Sequence, residues 1–368
     1  MTDLAQRALL PAGLRDILPP LAAHEAATVT RLMGEFAARG YERVKPPLIE
    51  FETSLSSGAD AFRVMDPLTQ QMMAVRSDMT AQVARIAATR LKGEARPLRL
   101  AYAGQVLRVK GTQLRADRQF GQVGIELFGA PEPSAEAEIL TLCVEALAAV
   151  GLTDISVDLT ISTLAPLVVG GHEDEAKLRD ALDHKDATTV AAAGTATAKL
   201  LTSLIEAVGP AERGLARLAA LDLPAPAARK RDSLLQVASL IRAALPGLTL
   251  TIDPVENRGL DYSGVGFTIF SRRSAGEIGR GGRYLAHGEP AVGATLFMDT
   301  LLEVLPNGHP ERRIYLPVGI AHTVASKLRK EGWITINGLS AAADDAAEAK
   351  RLRCTHWLAP SGPRTLPE

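Results

Sequence analysis

The chain has almost no cysteine. Only Cys143 and Cys354 occur among its 368 residues, far apart and outside any paired-cysteine spacing. That excludes a disulfide-stapled scaffold and a cysteine-held metal site. Each reads as a small buried apolar residue, and their scarcity suits a reduced compartment. Charge of one sign is not in excess either: 41 Lys and Arg stand against 42 Asp and Glu, for a formal net charge of -1. No global field therefore draws the chain to nucleic acid.

A long apolar run is missing as well. No uninterrupted stretch approaches the roughly 20 residues of a membrane span, and Met1-Thr2-Asp3-Leu4 lacks a basic region followed by an apolar one. A cytoplasmic protein without a membrane partner is expected. Periodicity shows no internal repeat. What is present, 46% hydrophobic and 23% charged residues, is the composition of a globular chain long enough for a sizeable core.

Beyond the turn-rich stretch from Pro11 to Pro20, Val29, Leu32, Met33 and Phe36 recur at helical spacing and predict a helix from Leu21 to Arg39, closed by Gly40. A second helix is expected from Asp78, with Asp78 as its cap and Met79, Val83, Ile86 and Ala87 on one face. Strands over 98–109 and 119–128, joined by the polar loop 110–118, read as an antiparallel pair. In the second strand Val123, Ile125 and Leu127 share one face, whereas Gln122, Gly124 and Glu126 share the other. Taken alone, that pattern is an ordinary sheet with one solvated face.

A helix over 135–150 and a strand over 155–161 follow. Residues 170–246 are Ala/Leu-rich and broken by Gly194, Gly209-Pro210, Pro224 and Pro226, which reads as a helical insertion. Strand signals return at 248–252 and 264–270, so the insertion interrupts one domain spanning 1–305. Pro306-Asn307-Gly308-His309-Pro310 serves as a linker to residues 312–368, which alternate strand and helix patterns as a small α/β unit. The overall class is α+β. The run Gly279-Arg280-Gly281-Gly282-Arg283-Tyr284 lacks P-loop spacing, and tight turns are its plain reading.

Several segments taken together carry more. Gly40-Tyr41-Glu42-Arg43-Val44-Lys45-Pro46-Pro47-Leu48-Ile49-Glu50 resembles motif 1 of the class II aminoacyl-tRNA synthetases, and Arg108 to Gly124 aligns without gaps to their motif 2. Arg258-Gly259-Leu260-Asp261-Tyr262, with Gly281-Gly282-Arg283-Tyr284 after it, resembles elements particular to histidyl-tRNA synthetase. Over about residues 10–305 the resemblance implies a class II synthetase-like antiparallel sheet flanked by helices, and self-association as the class II dimer that motif 1 forms.

Carried over residue by residue, the resemblance implies a histidine-binding set of Asp78, Thr80, Arg108, Gln122, Glu126, Arg258 and Tyr262, with no metal and no cofactor. An amino acid presents an ammonium, a carboxylate and here an imidazole, and the set answers each. Asp78, Thr80 and Gln122 go to the ammonium. Arg258, with Arg108 as a second candidate, goes to the carboxylate, and Glu126 with Tyr262 to the ring. Two positions depart from the family: Asp78 stands for a glutamate, and Ser263 for a second tyrosine.

The nucleotide side departs further. Where the family has Arg-x-Glu in motif 2, this chain has Arg108-Val109-Lys110; where motif 3 has Gly-hydrophobic-Glu-Arg, it has Phe297-Met298-Asp299-Thr300. The adenine acceptor and the γ-phosphate clamp are both lost. A charge-assisted hydrogen bond contributes roughly 1.5–3 kcal/mol, and threonine cannot replace a bidentate guanidinium. Adenylation is not expected. The tail 312–368 is also short for the anticodon-binding domain of that family.

This combination resembles the synthetase paralogues that serve as regulatory subunits of the short-form ATP phosphoribosyltransferase. That family implies a non-catalytic chain acting in the first step of histidine biosynthesis. It also implies a hetero-octamer with a separate catalytic subunit, and histidine as feedback effector. A divergent histidyl-tRNA synthetase, or another histidine-sensing paralogue, is the alternative.

Overall fold

Two-residue alternation builds the centre of the larger unit, and helices with one apolar face cover it. In the computed structural model residues 9–52, 61–111, 116–171, 175–193, 195–256, 262–306 and 312–366 are described. They divide between two compact units, Met1–Pro306 and Asn307–Glu368.

The larger unit runs α1 (Leu21–Ala37), β1 (Glu42–Arg43), β2 (Ile49–Phe51), β3 (Arg63–Met65), β4 (Met72–Val75), α2 (Thr80–Thr89), β5 (Leu98–Leu107), β6 (Gln119–Phe128), α3 (Ser134–Ala149) and β7 (Ile155–Thr160). It continues with α4 (Leu164–Val169), α5 (Glu175–Asp183), α6 (Ala187–Ala192), α7 (Ala196–Glu206), β8 (Gly209–Pro210), α8 (Ala211–Ala219) and α9 (Ala225–Ala244). The chain then returns to the sheet as β9 (Thr249–Asp253), β10 (Gly266–Ser271), β11 (Gly279–Ala286) and β12 (Glu289–Phe297), and ends in α10 (Met298–Val304).

Among the described residues one nine-stranded sheet has the order β1-β5-β6-β12-β11-β10-β7-β9-β8. Its central pairs are antiparallel, whereas β1 with β5 and β7 with β9 are parallel, so the sheet is mixed towards both edges. On one face Val123, Ile125 and Leu127 pack in a single core with Leu32 and Phe36 of α1 and Ile139, Leu140 and Leu147 of α3. Each such side chain contributes roughly 1.5–3 kcal/mol by burial. Cys143 lies in this core, and burial pushes its thiol up to about 12.

The opposite face holds a smaller apolar cluster in which Met79, Val83 and Ala87 meet Leu100, Tyr102, Phe120, Phe128 and Phe297. The helix that covers this face is α2, and its N-cap is Met79 rather than Asp78. Asp78 instead accepts the Thr80 amide at 2.7 Å and turns its other oxygen to Gln122. The polar face of β6 is therefore not solvated: Gln122 and Glu126 are 0% and 1% exposed.

Helices α5 to α9 occupy the stretch between β7 and β9, and their Leu178, Leu201, Leu204, Leu234 and Ile241 belong to the same core as Val157 and Leu159. The short β8 pairs with β9 at the sheet edge. The segment from Gly279 to Tyr284 is not a set of turns. It lies in strand β11, hydrogen-bonded to β10 and β12, because glycines let neighbouring backbones and rings approach on both sides.

A second small sheet, β2-β4-β3, flanks the main one. Its register puts Ile49, Phe51, Met73 and Val64 on one side and Glu50, Ala74 and Arg63 on the other. Glu50 is buried and pairs with Arg85 of α2, whereas Ile49, Phe51 and Val64 are exposed.

The smaller unit contains β13 (Arg313–Leu316), α11 (His322–Lys330), β14 (Ile334–Asn337), α12 (Asp345–Arg351), β15 (His356–Ala359) and β16 (Gly362–Thr365), with sheet order β14-β13-β15-β16. Leu316 and Trp333 pack with Leu328 of α11 in one cluster, and Tyr315 packs with Ala349 of α12 in another. Among the described residues no helix is long and apolar enough to cross a membrane.

Candidate functional site

The ladder register of four strands lays out a floor. Tyr102 of β5 faces Gly124 of β6, Gly124 faces Thr295 of β12, and Thr295 faces Arg280 of β11. One row further along, Leu100, Glu126, Gly293 and Gly282 stand in line. Side chains two residues apart share a face, so these rows look the same way. Glycines at the centre of the floor leave room above it.

That room is a cavity of about 330 Å³, lined by Asp78, Thr80, Glu126, Tyr262, Arg280, Tyr284, Gly293, Thr295 and Phe297, among others. It falls at the small end of the roughly 300–1,000 Å³ range of small-molecule sites. Of the sequence-derived set, Asp78, Thr80, Glu126 and Tyr262 come together here. Gln122 stands directly behind: its Nε2 donates to Asp78 Oδ2 at 2.9 Å, while its Oε1 accepts the Met79 amide at 3.2 Å. The carboxylate of Asp78 is thereby aimed rather than free to rotate.

Arg108 does not line this cavity. Its guanidinium lies over the Phe120 ring, 4.9 Å from the centroid. Arg258 falls outside the described residues.

Glu126 is the electrostatic centre of the site. Tyr284 donates to its Oε2 at 2.8 Å, and the Tyr102 hydroxyl reaches its Oε1 at 3.3 Å and Thr295 Oγ1 at 2.8 Å. Thr80 Oγ1 lies 3.3 Å from the same tyrosine hydroxyl. Burial pushes the Glu126 carboxyl up to about 8; the Tyr284 hydrogen bond pulls the other way, and the charge of Asp78 adds to the rise. Burial likewise raises Tyr262, against the pull of Arg280. A carboxyl group poised near neutrality inside a ring of hydroxyls can either donate a proton to a bound base or, once ionised, accept one from a bound acid.

The neighbouring strand residues fix this arrangement. Arg283 and Tyr284 point to opposite faces, as strand neighbours must. Below the sheet, Arg283 donates from Nε to Glu136 Oε1 at 2.6 Å and from its two terminal nitrogens to the carbonyls of Ala130 and Glu132, each at 2.8 Å. Glu136 is fully buried at the start of α3. This anchor holds β11 in place and so presents Tyr284 to Glu126 above the sheet.

The positions that would serve a nucleotide are occupied otherwise. Phe297 is 1% exposed, and its ring packs edge-on against Phe120 with centroids 6.2 Å apart at 72°. Thr300 donates its hydroxyl to the Glu277 carbonyl at 2.7 Å, tying the first turn of α10 to the segment that precedes β11. Lys110 is exposed. Among the described residues no group of three or more His, Cys, Asp or Glu could hold a metal ion.

Sequence reasoning missed Tyr102, Thr295, Arg280, Tyr284 and Gly293 as site residues. The two-residue period counted outward from Gly282 would have put Arg280 and Tyr284 on its face. Tyr102, Thr295 and Gly293 reach the site only through register with neighbouring strands, which no local signal encodes.

The chain matches the histidyl-tRNA synthetase family over residues 13–301. It is 56% identical over 374 residues to the ATP phosphoribosyltransferase regulatory subunit of Paramagnetospirillum magneticum, covering 98% of this chain and 99% of that one. Among solved structures it is similar to an ATP phosphoribosyltransferase regulatory subunit/histidyl-tRNA synthetase from Bacillus halodurans, with TM-score 0.80 and 24% identity over 93% of this chain and 96% of that one. A chain of the ATP phosphoribosyl transferase complex from Thermotoga maritima shares the fold at TM-score 0.60 and 20% identity, covering 74% of this chain and 97% of that one.

Proposed function

The chain belongs to the ATP phosphoribosyltransferase regulatory subunits, built on the histidyl-tRNA synthetase domain, and from that premise we propose that its cavity binds free histidine as a feedback signal. It is a non-catalytic subunit, and catalysis lies in a separate chain. One observation carries the histidine reading. Asp78, Thr80, Glu126 and Tyr262 surround one cavity, while Phe297 and Thr300 stand where the resemblance expects the glycine and arginine of motif 3.

In this reading the ligand's ammonium lies against Asp78 and Thr80, with Gln122 holding Asp78 in place. The imidazole lies between Glu126 and Tyr262. A carboxyl near 8 beside an imidazole of ordinary pKa near 6.5 leaves one proton to be shared between them at neutral pH. That proton bridges the pair whichever partner holds it.

The partner is the short-form catalytic subunit, in a cytoplasmic hetero-octamer. The family resemblance supports that stoichiometry. Self-association uses the exposed apolar side of the β2-β4-β3 sheet, which carries Ile49, Phe51 and Val64. Histidine then favours one arrangement of the assembly, and a coupling of roughly 1–3 kcal/mol suffices for useful feedback.

The test is phosphoribosyl-ATP formation by the purified short catalytic subunit, with and without this chain, across a histidine titration. Activation by the chain and inhibition by histidine are expected. Absence of any effect, with no co-elution of the two chains, would overturn the assignment of partner and effector.

A further inference from the structure

Among the described residues that line the cavity, Arg280 is the single cation, set against the carboxylates Asp78 and Glu126. Its guanidinium stacks over the Phe297 ring, 5.5 Å from the centroid, and passes Glu277 at 3.7 Å. That second distance is an electrostatic neighbour rather than a hydrogen-bonded pair. The side chain is about one-third exposed, at 34%, and therefore reachable by a ligand entering from solvent.

On the floor, Arg280 faces Thr295, whereas Glu126 faces Gly293 two residues along the same strand and on its other side. Strand geometry then separates the two Cα atoms by about 12 Å, two strands across and two residues along. Two long side chains thus enter the cavity from opposite ends, one acidic and one basic.

We propose that Arg280 receives the α-carboxylate of the bound amino acid and makes that group a determinant of effector choice. The inference rests on the reading that the cavity takes an amino acid. Without Arg280 the described lining offers a ligand carboxylate only the Asp78 and Glu126 carboxyl groups and neutral hydroxyls, with no cationic fork. Phe297 has a double consequence: its ring fills space against Phe120, and its face lies beneath the Arg280 guanidinium.

Titration calorimetry on the full chain tests this with histidine and its amino alcohol, which keeps the ring and the ammonium but has a hydroxymethyl group in place of the carboxylate. Wild type is expected to prefer histidine by roughly ten- to a hundredfold, the value of a charge-assisted contact. Arg280→Ala should bring that ratio close to one by weakening histidine alone. Arg280→Lys, which keeps the charge without the fork, should give an intermediate ratio, and it decides the matter if the alanine variant does not fold. An unchanged ratio in a folded variant overturns the role of Arg280. Failure of wild type to bind either compound overturns the amino-acid reading itself, and the role of Arg280 with it.

Discussion

Glu126 and Gly293 face each other across the ladder of β6 and β12, and the carboxylate of the first occupies the volume that any side chain on the second would need. A Cβ on Gly293 would lie 1.7 Å from Glu126 Oε2. The same glycine-for-space relation holds at Gly124, where a Cβ would meet the Tyr102 hydroxyl at 2.4 Å. Buried polar side chains lie flat on this sheet because glycine stands beneath them.

Gly293→Ala should therefore displace the Glu126 carboxylate from Tyr284. Histidine affinity is expected to fall more than tenfold, the value of one charge-assisted bond. Overpacking should also cost about 1–3 kcal/mol of stability. Calorimetry and urea unfolding on the same preparation separate the two effects.

Stability should fall as pH rises through the range set by Glu126. Its carboxyl stands at about 8 in the folded chain against an ordinary 4.5, so between these values the folded state holds a proton that the unfolded state has released. The stabilisation is complete below 4.5 and lost above 8, by a few kcal/mol at most. Urea midpoints at pH 6 and pH 9 should differ in wild type, and the difference should shrink in Glu126→Gln, which keeps the shape and cannot ionise.

Arg283→Ala should cost more stability than Gly293→Ala. It leaves Glu136 buried and unpaired, and breaking such a pair costs about 3–5 kcal/mol. Because the same strand presents Tyr284 to Glu126, binding should suffer along with stability. Thermal melts of the apo chain, with and without histidine, would show a lower midpoint and a smaller ligand-induced shift.

Histidine-dependent exchange of pyrophosphate into ATP should be absent. The Phe297 ring against Phe120 and the inward-turned Thr300 hydroxyl leave no arginine fork at the motif 3 position. The exchange assay reads this directly, and turnover above the no-histidine background would contradict it.

Phe51→Asp combined with Val64→Asp should convert a self-associated chain to monomer. Both side chains are exposed on the apolar side of the small sheet, at 41% and 45%. Charges at the centre of an apolar contact are strongly disfavoured. Sedimentation velocity on wild type and variant gives the answer, since a monomeric wild type would remove the premise.

Much of the local structure was legible. Strand β6 has the two faces that alternation assigns it, and Asp78, Thr80, Glu126 and Tyr262 do line one cavity. Other features were not. The polar face of β6 reads as solvated only when the strand is taken alone; α2 and the rings of Tyr102 and Tyr284 bury it. The glycine run reads as turns, yet partners on both sides make it a strand. Arg108, a carboxylate candidate by resemblance, is not among the residues lining the cavity, and its guanidinium lies over the Phe120 ring.

By itself the sequence determined which segments alternate at strand or helix period, and that the phosphate-binding groups are replaced. The first follows from local stereochemistry, which a chain carries at every position; the second is what the resemblance of its motifs to the synthetases implies. Tertiary structure alone decided that Tyr102 and Gly293 meet Glu126, with Thr295 bonded to Tyr102, and that burial raises the Glu126 carboxyl to about 8. Strand register and desolvation are sums over residues distant in sequence, so they exist only once the sheet has closed around them.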